Sequence, residues 1–381
     1  MNIVYIIDSL GSKGGAERIL SEKMNYLATH FNYNVYVITC YQNPNDTKNA
    51  YFLSEKVKQI NLCIPYYSQY CYNYPKRLYV KYNLYRKLIS KLRTTILQID
   101  PDVLIGLGYF IADKVCSVKC RAAKIIESHE ARMFTMSNHG LSRSWLSRTY
   151  MKLYRKAYLK SVEQNADVVV TLTKGDAKEW RKAKRVEVIP NFTTMHPPLE
   201  SYNLNSKRII SVGRLEWQKG YDTLVEIWKL VSFKHPDWEL VIFGSGTLES
   251  KIISLINDEK LKNITIHPFT SDISHEYSQS SIFALSSRFE GFPLVLLEAL
   301  QHSLPCIVFD CPFGPRDVID DGICGYVIDN NIQLFAEKLS ELIENDELRK
   351  QFSDAARKKA EVYNMDSIMQ IWKNLFESLT K

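Results

Sequence analysis

No uninterrupted apolar run in the chain approaches the roughly 18–20 residues that span a bilayer, so a membrane-spanning helix is not expected. The opening MNIVYIIDSL has no basic n-region and carries Asp8 early, which reads as a strand rather than a signal peptide. The eight cysteines (Cys40, Cys63, Cys71, Cys116, Cys120, Cys306, Cys311 and Cys324) are scattered, with no CxxC pair and no Cys/His cluster. That distribution argues against a disulfide framework and a zinc site, and suits reduced thiols in a cytosolic protein. No short repeat and no low-complexity tract occurs, and no recognised nucleic-acid-binding module is present.

What is present is an ordinary globular composition. Of 381 residues, 45% are apolar and 24% charged, enough for roughly two domains with proper cores and too apolar for wholesale disorder. The net charge of +7 hides an asymmetry. Residues 1–200 hold 30 Lys and Arg against 16 Asp and Glu, a net of +14. Residues 201–381 hold the remaining 19 against 26, a net of −7. One half is therefore drawn to something anionic: nucleic acid, anionic lipid or a phosphorylated small molecule.

Short runs rich in Val and Ile alternate with longer helical patterns. Strands are expected at 3–7, 35–39, 103–106, 124–128 and 168–171, with helices such as 16–31 and 76–99 between them. A polar, Pro-containing stretch follows, with Pro190, Asn191 and Pro197–Pro198, and reads as a domain boundary. The rhythm restarts with strands at 208–212, 240–243, 264–267, 282–285, 306–309 and 326–328. Helices are expected at 331–345, 346–362 and, after a break near Asn364, 365–379. The βαβα order predicts an α/β protein of two doubly wound parallel sheets. Its expected domains are residues 1–195 and 206–363, with a C-terminal helix, 364–381, packing back on the first.

Five segments sit where a strand gives way to a helix, the place at which such sheets bind ligands. In DSLGSKGGAER (8–18), Gly11, Gly14 and Gly15 allow close backbone approach, and the following helix can offer N–H groups to an oxyanion. The spacing is not GxGxxG, which disfavours NAD; a plain flexible loop is the other reading. In VGRLEWQKG (212–220), Arg214 and Lys219 suit a diphosphate, although two solvated surface cations would look the same. In RFEGFPLVLLEAL (288–300), Glu290 lies in a loop and Glu298 about one turn into a helix. That helix start favours phosphate, and a carboxylate there can accept hydrogen bonds from vicinal sugar hydroxyls. In DCPFGPRDVI (310–319), Pro312, Gly314 and Pro315 stiffen a loop or simply make a turn. In IIESHEAR (125–132), His129 lies just past a strand end, where it serves structure, hydrogen-bonds a sugar or moves a proton.

Together these segments resemble glycosyltransferase family 4. The resemblance covers essentially the whole chain and is strongest over 208–328, where VGRLEWQKG, FGSG, EGFPLVLLE, CPFGPRD and GYVI occur in the family's order. It implies the GT-B fold, two Rossmann-like domains facing a central cleft, with closure between them. It implies that Arg214 and Lys219 neutralise a donor pyrophosphate and that Glu298 binds the donor ribose. Glu290 would contact the transferred sugar, with the N–H groups of Gly291 and Phe292 nearby. The N–H groups of Leu294 and Val295 would touch phosphate, Gly15 would lie against donor or acceptor, and His129 near the reacting carbon. Family members retain anomeric configuration and usually need no metal or other cofactor.

The expected function is transfer of a hexosyl or N-acetylhexosaminyl unit from a nucleotide sugar to a glycan acceptor in cell-surface polysaccharide biosynthesis. A UDP-linked donor is expected, with GDP-mannose as the alternative. Residues 141–160 contain six Arg and Lys and no acid, and Tyr66–Leu88 is Tyr-rich and basic. Such segments rest on anionic membranes or simply form a solvated helix. Many family members extend lipid-linked oligosaccharides at the cytoplasmic membrane face. The expectation is therefore a cytoplasmic, peripheral enzyme with a lipid-linked glycan acceptor and no nucleic-acid partner. The rivals are a nucleotide-sugar 2-epimerase of the same fold and a non-catalytic sugar-nucleotide-binding partner.

Overall fold

A computed structural model describes residues 1–43, 45, 47–107, 109–129, 132, 145–195 and 202–380. The chain divides into two compact units, one of Met1–Ile189 with Ile368–Lys381, the other of Pro190–Ser367. The expected linker prolines Pro197 and Pro198 lie outside the described residues.

The first unit is built on a seven-stranded sheet in the order β3-β2-β1-β4-β5-β6-β7, every neighbouring pair parallel. Its strands are β1 (Asn2–Ile7), β2 (Asn34–Thr39), β3 (Lys58–Asn61), β4 (Val103–Leu107), β5 (Ala123–Ser128), β6 (Val168–Thr171) and β7 (Val186–Val188). Helices α1 (Gly15–Thr29), α2 (Lys76–Ile99), α3 (Tyr109–Ser117), α4 (Trp145–Asn165) and α5 (Lys174–Ala177) connect them, with a 3-10 turn at Tyr66–Cys71. Strand side chains alternate between faces. Val4, Ile6, Leu104, Ile126 and Val169 join one cluster with Leu88, Leu92 and Ile96 of α2 and residues of α3 and α4. Their sequence neighbours Ile3, Tyr5, Val103, Ile105 and Ile125 are equally buried on the opposite face.

The second unit has a six-stranded parallel sheet in the order β10-β9-β8-β11-β12-β13. Its elements run β8 (Arg208–Val212), α6 (Tyr221–Ser232), β9 (Glu239–Phe243), α7 (Glu249–Asp258), β10 (Ile264–His267), α8 (Ile273–Ser278) and β11 (Ile282–Leu285). They continue α9 (Leu294–Gln301), β12 (Cys306–Phe309), α10 (Pro315–Val318), β13 (Gly325–Ile328), α11 (Ile332–Glu344) and α12 (Asp346–Val362). Trp228 of α6 and Phe335 of α11 are fully buried in one cluster against β8, β9 and β11. A last helix, α13 (Met365–Leu379), buries Ile368, Met369, Trp372, Leu375 and Phe376 as a single stripe, spaced as an amphipathic helix requires.

Candidate active site

In the second sheet β8 is the turning point. The chain leaves β8 toward β9 and β10 on one side, then returns to lay β11, β12 and β13 on the other. Beyond the loops after β8 and β11 the chain therefore runs to opposite sides of the sheet, the arrangement that marks a ligand site at the carboxyl ends of the strands. The loop after β8 crosses a short 3-10 turn, Trp217–Lys219, and ends at Gly220 with φ +65°. A Cβ there would stand 2.2 Å from the Ser286 carbonyl oxygen, so only glycine lets the two loops touch.

The two loops are laced together. Ser286 Oγ donates to the Lys219 carbonyl at 3.0 Å, and Gln218 Nε2 to that of Phe289 at 3.1 Å. Arg288 contacts both carboxylate oxygens of Asp222, at 2.9 and 2.8 Å. Lys219 Nζ donates to Glu290 Oε1 at 2.7 Å, with both side chains largely buried. Arg214 is exposed, and among the described residues no side chain accepts a hydrogen bond from its guanidinium. Thr247, from the loop after β9, donates from backbone and hydroxyl to Glu216 and, ahead of the Arg214 charge, holds that carboxyl below its usual range.

Gly291 and Phe292 follow Glu290. Phe292 is buried against the edge of Tyr363, ring centroids 5.9 Å apart. Leu294 and Val295, half-buried, open α9. The first N–H groups of a helix have no intrahelical acceptor, and Pro293 at the N-cap supplies none from a side chain. Gly314, at φ +91°, lets the loop after β12 close on this start; a Cβ there would be 2.6 Å from Pro293 Cδ. Beside Glu290 and Lys219, burial pushes the Cys311 thiol up to about 12, so it is an inert neighbour.

Glu298 is buried one turn into α9 and accepts from the Tyr277 hydroxyl at 3.1 Å. Burial, then the Glu298 charge, pushes the Tyr277 phenol far up, keeping it a donor. His302 Nδ1 lies 2.8 Å from the Glu298 carbonyl oxygen and Nε2 lies 2.8 Å from Ser274 Oγ. Burial lowers the His302 pKa. A carbonyl only accepts, so Nδ1 carries the proton and Nε2 accepts from the serine. Tyr277, His302 and Ser274 form a supporting layer that the sequence patterns did not single out, because all three approach α9 from α8 or its own end.

Gly15 and His129 belong to the first unit. Gly15 is exposed and is the first residue of α1, capped only by Gly14 backbone. His129 follows β5, its Nε2 3.1 Å from Glu127 Oε2. Its neighbours Glu130 and Ala131 in the SHEAR segment lie outside the described residues. Asp8, at the carboxyl end of β1, escaped the sequence reading as a site residue. Burial pushes its carboxyl up to about 6, with Lys114 pulling the other way and Asp113 adding to the rise. Its Oδ1 is buried without a hydrogen-bond partner among the described residues. Among the described residues no group of His, Cys, Asp and Glu is placed to hold a metal, and no helix is long and apolar enough to cross a membrane.

Two doubly wound parallel sheets in one chain are the architecture of GT-B glycosyltransferases, and solved members of that class superpose on this chain. A TarM variant from S. aureus, in complex with fondaparinux, alpha-GlcNAc-glycerol and UDP, superposes on this chain with a TM-score of 0.75 at 17% identity, over 98% of this chain and 99% of that one. The chain belongs to the glycosyl transferases group 1 family, whose model matches residues 198–359. An uncharacterized glycosyltransferase of Haemophilus influenzae is 30% identical over 380 residues, 98% of this chain and 99% of its own length. The amylovoran biosynthesis glycosyltransferase AmsD of Erwinia amylovora is 34% identical over 221 residues, 55% of this chain and 62% of its own.

Proposed function

We propose that this glycosyltransferase moves a hexosyl or N-acetylhexosaminyl unit from a UDP-sugar to a glycan acceptor, with retention of configuration, in cell-surface polysaccharide biosynthesis. The observation that carries the reading is the grouping in the second unit of an exposed Arg214, the Lys219–Glu290 ion pair and the buried Glu298 around one strand switch point. The AmsD relative's role in amylovoran biosynthesis, and the UDP and alpha-GlcNAc-glycerol bound to the TarM variant, support the substrate class.

In this reading Arg214 and the amino end of α9, through the N–H groups of Leu294 and Val295, take up the pyrophosphate charge as it grows. No metal is then required, and none is proposed. Lys219 shares that task while holding Glu290, which with the Gly291 and Phe292 N–H groups contacts the transferred sugar. Glu298, kept in place by Tyr277, accepts from the ribose hydroxyls. His129 and Gly15 act in the first unit, on the reacting sugar and on donor or acceptor. Retention follows when the leaving phosphate takes the acceptor proton on the same face.

A lipid-linked acceptor is part of the proposal, with the chain peripheral on the inner face of the cytoplasmic membrane. Its support is the exposed tyrosines of the first unit, Tyr67, Tyr74 and Tyr79 among them, with Arg77 4.2 Å from the Tyr70 ring centroid and Lys76 4.6 Å from that of Tyr72. In the 141–160 segment, Lys152, Leu153, Tyr154 and Lys156 are also exposed, whereas 141–144 lie outside the described residues. Calorimetric titration with UDP, GDP, ADP and UDP-sugars, with and without Mg²⁺, tests the donor site. The expected result is binding of UDP, indifferent to Mg²⁺ and lost in Arg214→Ala. Failure of every nucleotide to bind would overturn the reading.

A further inference from the structure

A fully buried charge pair lies beneath His129, on the sheet face opposite α2, α3 and α4. Lys23, from the middle of α1, places Nζ 2.6 and 2.5 Å from the two carboxylate oxygens of Glu127, at the end of β5. The two side chains are 2% and 3% exposed. Trp372 of α13 covers the ammonium, Nζ standing 4.0 Å from its ring centroid, and Tyr5 of β1 flanks it at 5.5 Å. Glu127 Oε2 also faces His129 Nε2, at 3.1 Å.

Two buried ions off a sheet are costly, and replacing such a pair by apolar residues is often neutral or stabilising. Stability alone therefore does not explain its presence. The hydrogen-bond chemistry does. Burial alone would raise the Glu127 carboxyl, but the Lys23 charge and the His129 hydrogen bond outweigh it and hold it below its usual range. An ionised carboxylate only accepts, so His129 Nε2 must carry a proton. The Lys23 charge keeps that carboxylate ionised, and so keeps it an acceptor.

We propose that the Lys23–Glu127 pair is a positioning device that holds the His129 ring through Nε2–H donation to Glu127, so that Nδ1 is the nitrogen left for a substrate hydroxyl. Among the described residues, the other charged groups nearby are committed elsewhere. Asp176 accepts from Ser128 Oγ at 2.9 Å and from the Arg132 backbone at 2.7 Å, and the Arg132 side chain pairs with Glu163 at 3.1 Å. The Tyr5 phenol is pushed far up by burial and then by Glu127, and stays neutral. The consequence for transfer rests on the reading of His129 as a group that meets the reacting sugar; the lock itself does not.

The test is a long-range ¹H–¹⁵N correlation spectrum of the full chain with ring-¹⁵N histidine, which reads protonation at each nitrogen directly. The chain has eight histidines, and His129→Asn assigns the signal by its disappearance. The wild-type His129 signal is expected to show a proton on Nε2. Lys23→Met removes the charge that outweighs burial at Glu127, so the carboxyl rises and Nε2 should lose its role as donor, whereas Lys23→Arg should keep the wild-type pattern. A wild-type spectrum showing a bare Nε2, which needs no variant to fold, would overturn the lock, as would an unchanged spectrum in Lys23→Met. Lys23→Met should also lower kcat at least about tenfold while leaving UDP affinity unchanged. If the lock is seen but His129→Asn transfers sugar at the wild-type rate, the functional reading of His129 fails and the lock stands. If His129→Asn is inactive but Nε2 is bare, the reverse holds.

Discussion

Arg214 and Lys219 lie five residues apart and look equivalent in sequence, yet their physical standing differs. The Lys219 charge neutralises the largely buried Glu290, whereas Arg214 is exposed and has no ion-pair partner among the described residues. Removing one partner of a buried pair costs about 3–5 kcal/mol, because the other is left uncompensated. Lys219→Ala should therefore lower both the melting temperature and turnover, and Lys219→Ala combined with Glu290→Ala should recover stability without activity. Arg214→Ala should melt like wild type and lose on the order of 10²–10³ in kcat/KM, the scale of a lost transition-state contact. Parallel melts and kinetics check this; a melting loss in Arg214→Ala would show that its charge is structural. Asp8 supplies a pH test. Its folded pKa of about 6 exceeds the unfolded value of 3.8, so the folded state holds the proton more tightly. Stability from this group is full below about pH 4 and is lost as pH rises through about 6, a cost on the order of 3 kcal/mol at neutral pH. Asp8→Asn should stabilise the protein at pH 7.5 and show no difference near pH 4. Urea unfolding at the two pH values measures it, and equal gains at both would refute the cause given.

Elements that carry chemistry are held at loop crossings rather than by the helices alone. Gly220 is one of these, with a left-handed φ and no room for a Cβ against the Ser286 carbonyl. Gly220→Ala combines backbone strain of about 1–3 kcal/mol with forced separation of the loops after β8 and β11. It should lower the melting temperature by roughly 3–10 °C and raise the KM for donor, since the Lys219–Glu290 pair bridges the same two loops. Wild-type donor affinity in a destabilised Gly220→Ala protein would detach the site from this crossing. Most elements were legible in the sequence because β1, β4, β6, β11 and β12 are buried and read as continuous apolar runs. The two strands missed, β3 and β7, are the sheet's edges: KQIN and VEV are partly exposed and too short and polar to give a period. Glu298 stood out as a carboxylate in an apolar stretch. Its partner Tyr277 did not, and neither did Lys23 and Glu127, which are 104 positions apart and meet only through sheet order.

At the scale of the whole chain, charge is the property not consumed by folding. The excess of cations lies in residues 1–200, and within it residues 56–99 contain nine Lys and Arg and no Asp or Glu. The structure uses little of this segment for packing. Helix α2 buries only Leu88, Leu92 and Ile96, so its first three turns stand in solvent with Leu78, Tyr79, Tyr82 and Tyr85 exposed. A solvated helix needs no such aromatics, whereas tyrosine beside lysine and arginine suits the interface of an anionic bilayer. Each basic residue near such a surface contributes about 1 kcal/mol, screened by salt. The full chain should therefore sediment with phosphatidylglycerol vesicles at low salt, release as salt rises, and ignore phosphatidylcholine vesicles. Arg77→Glu with Lys81→Glu should abolish sedimentation and leave UDP binding intact, because both residues lie in the first unit and the proposed donor site in the second. Equal binding to both lipids would assign the tyrosines a purely apolar role, and no binding to either would leave the cations for a soluble anionic acceptor.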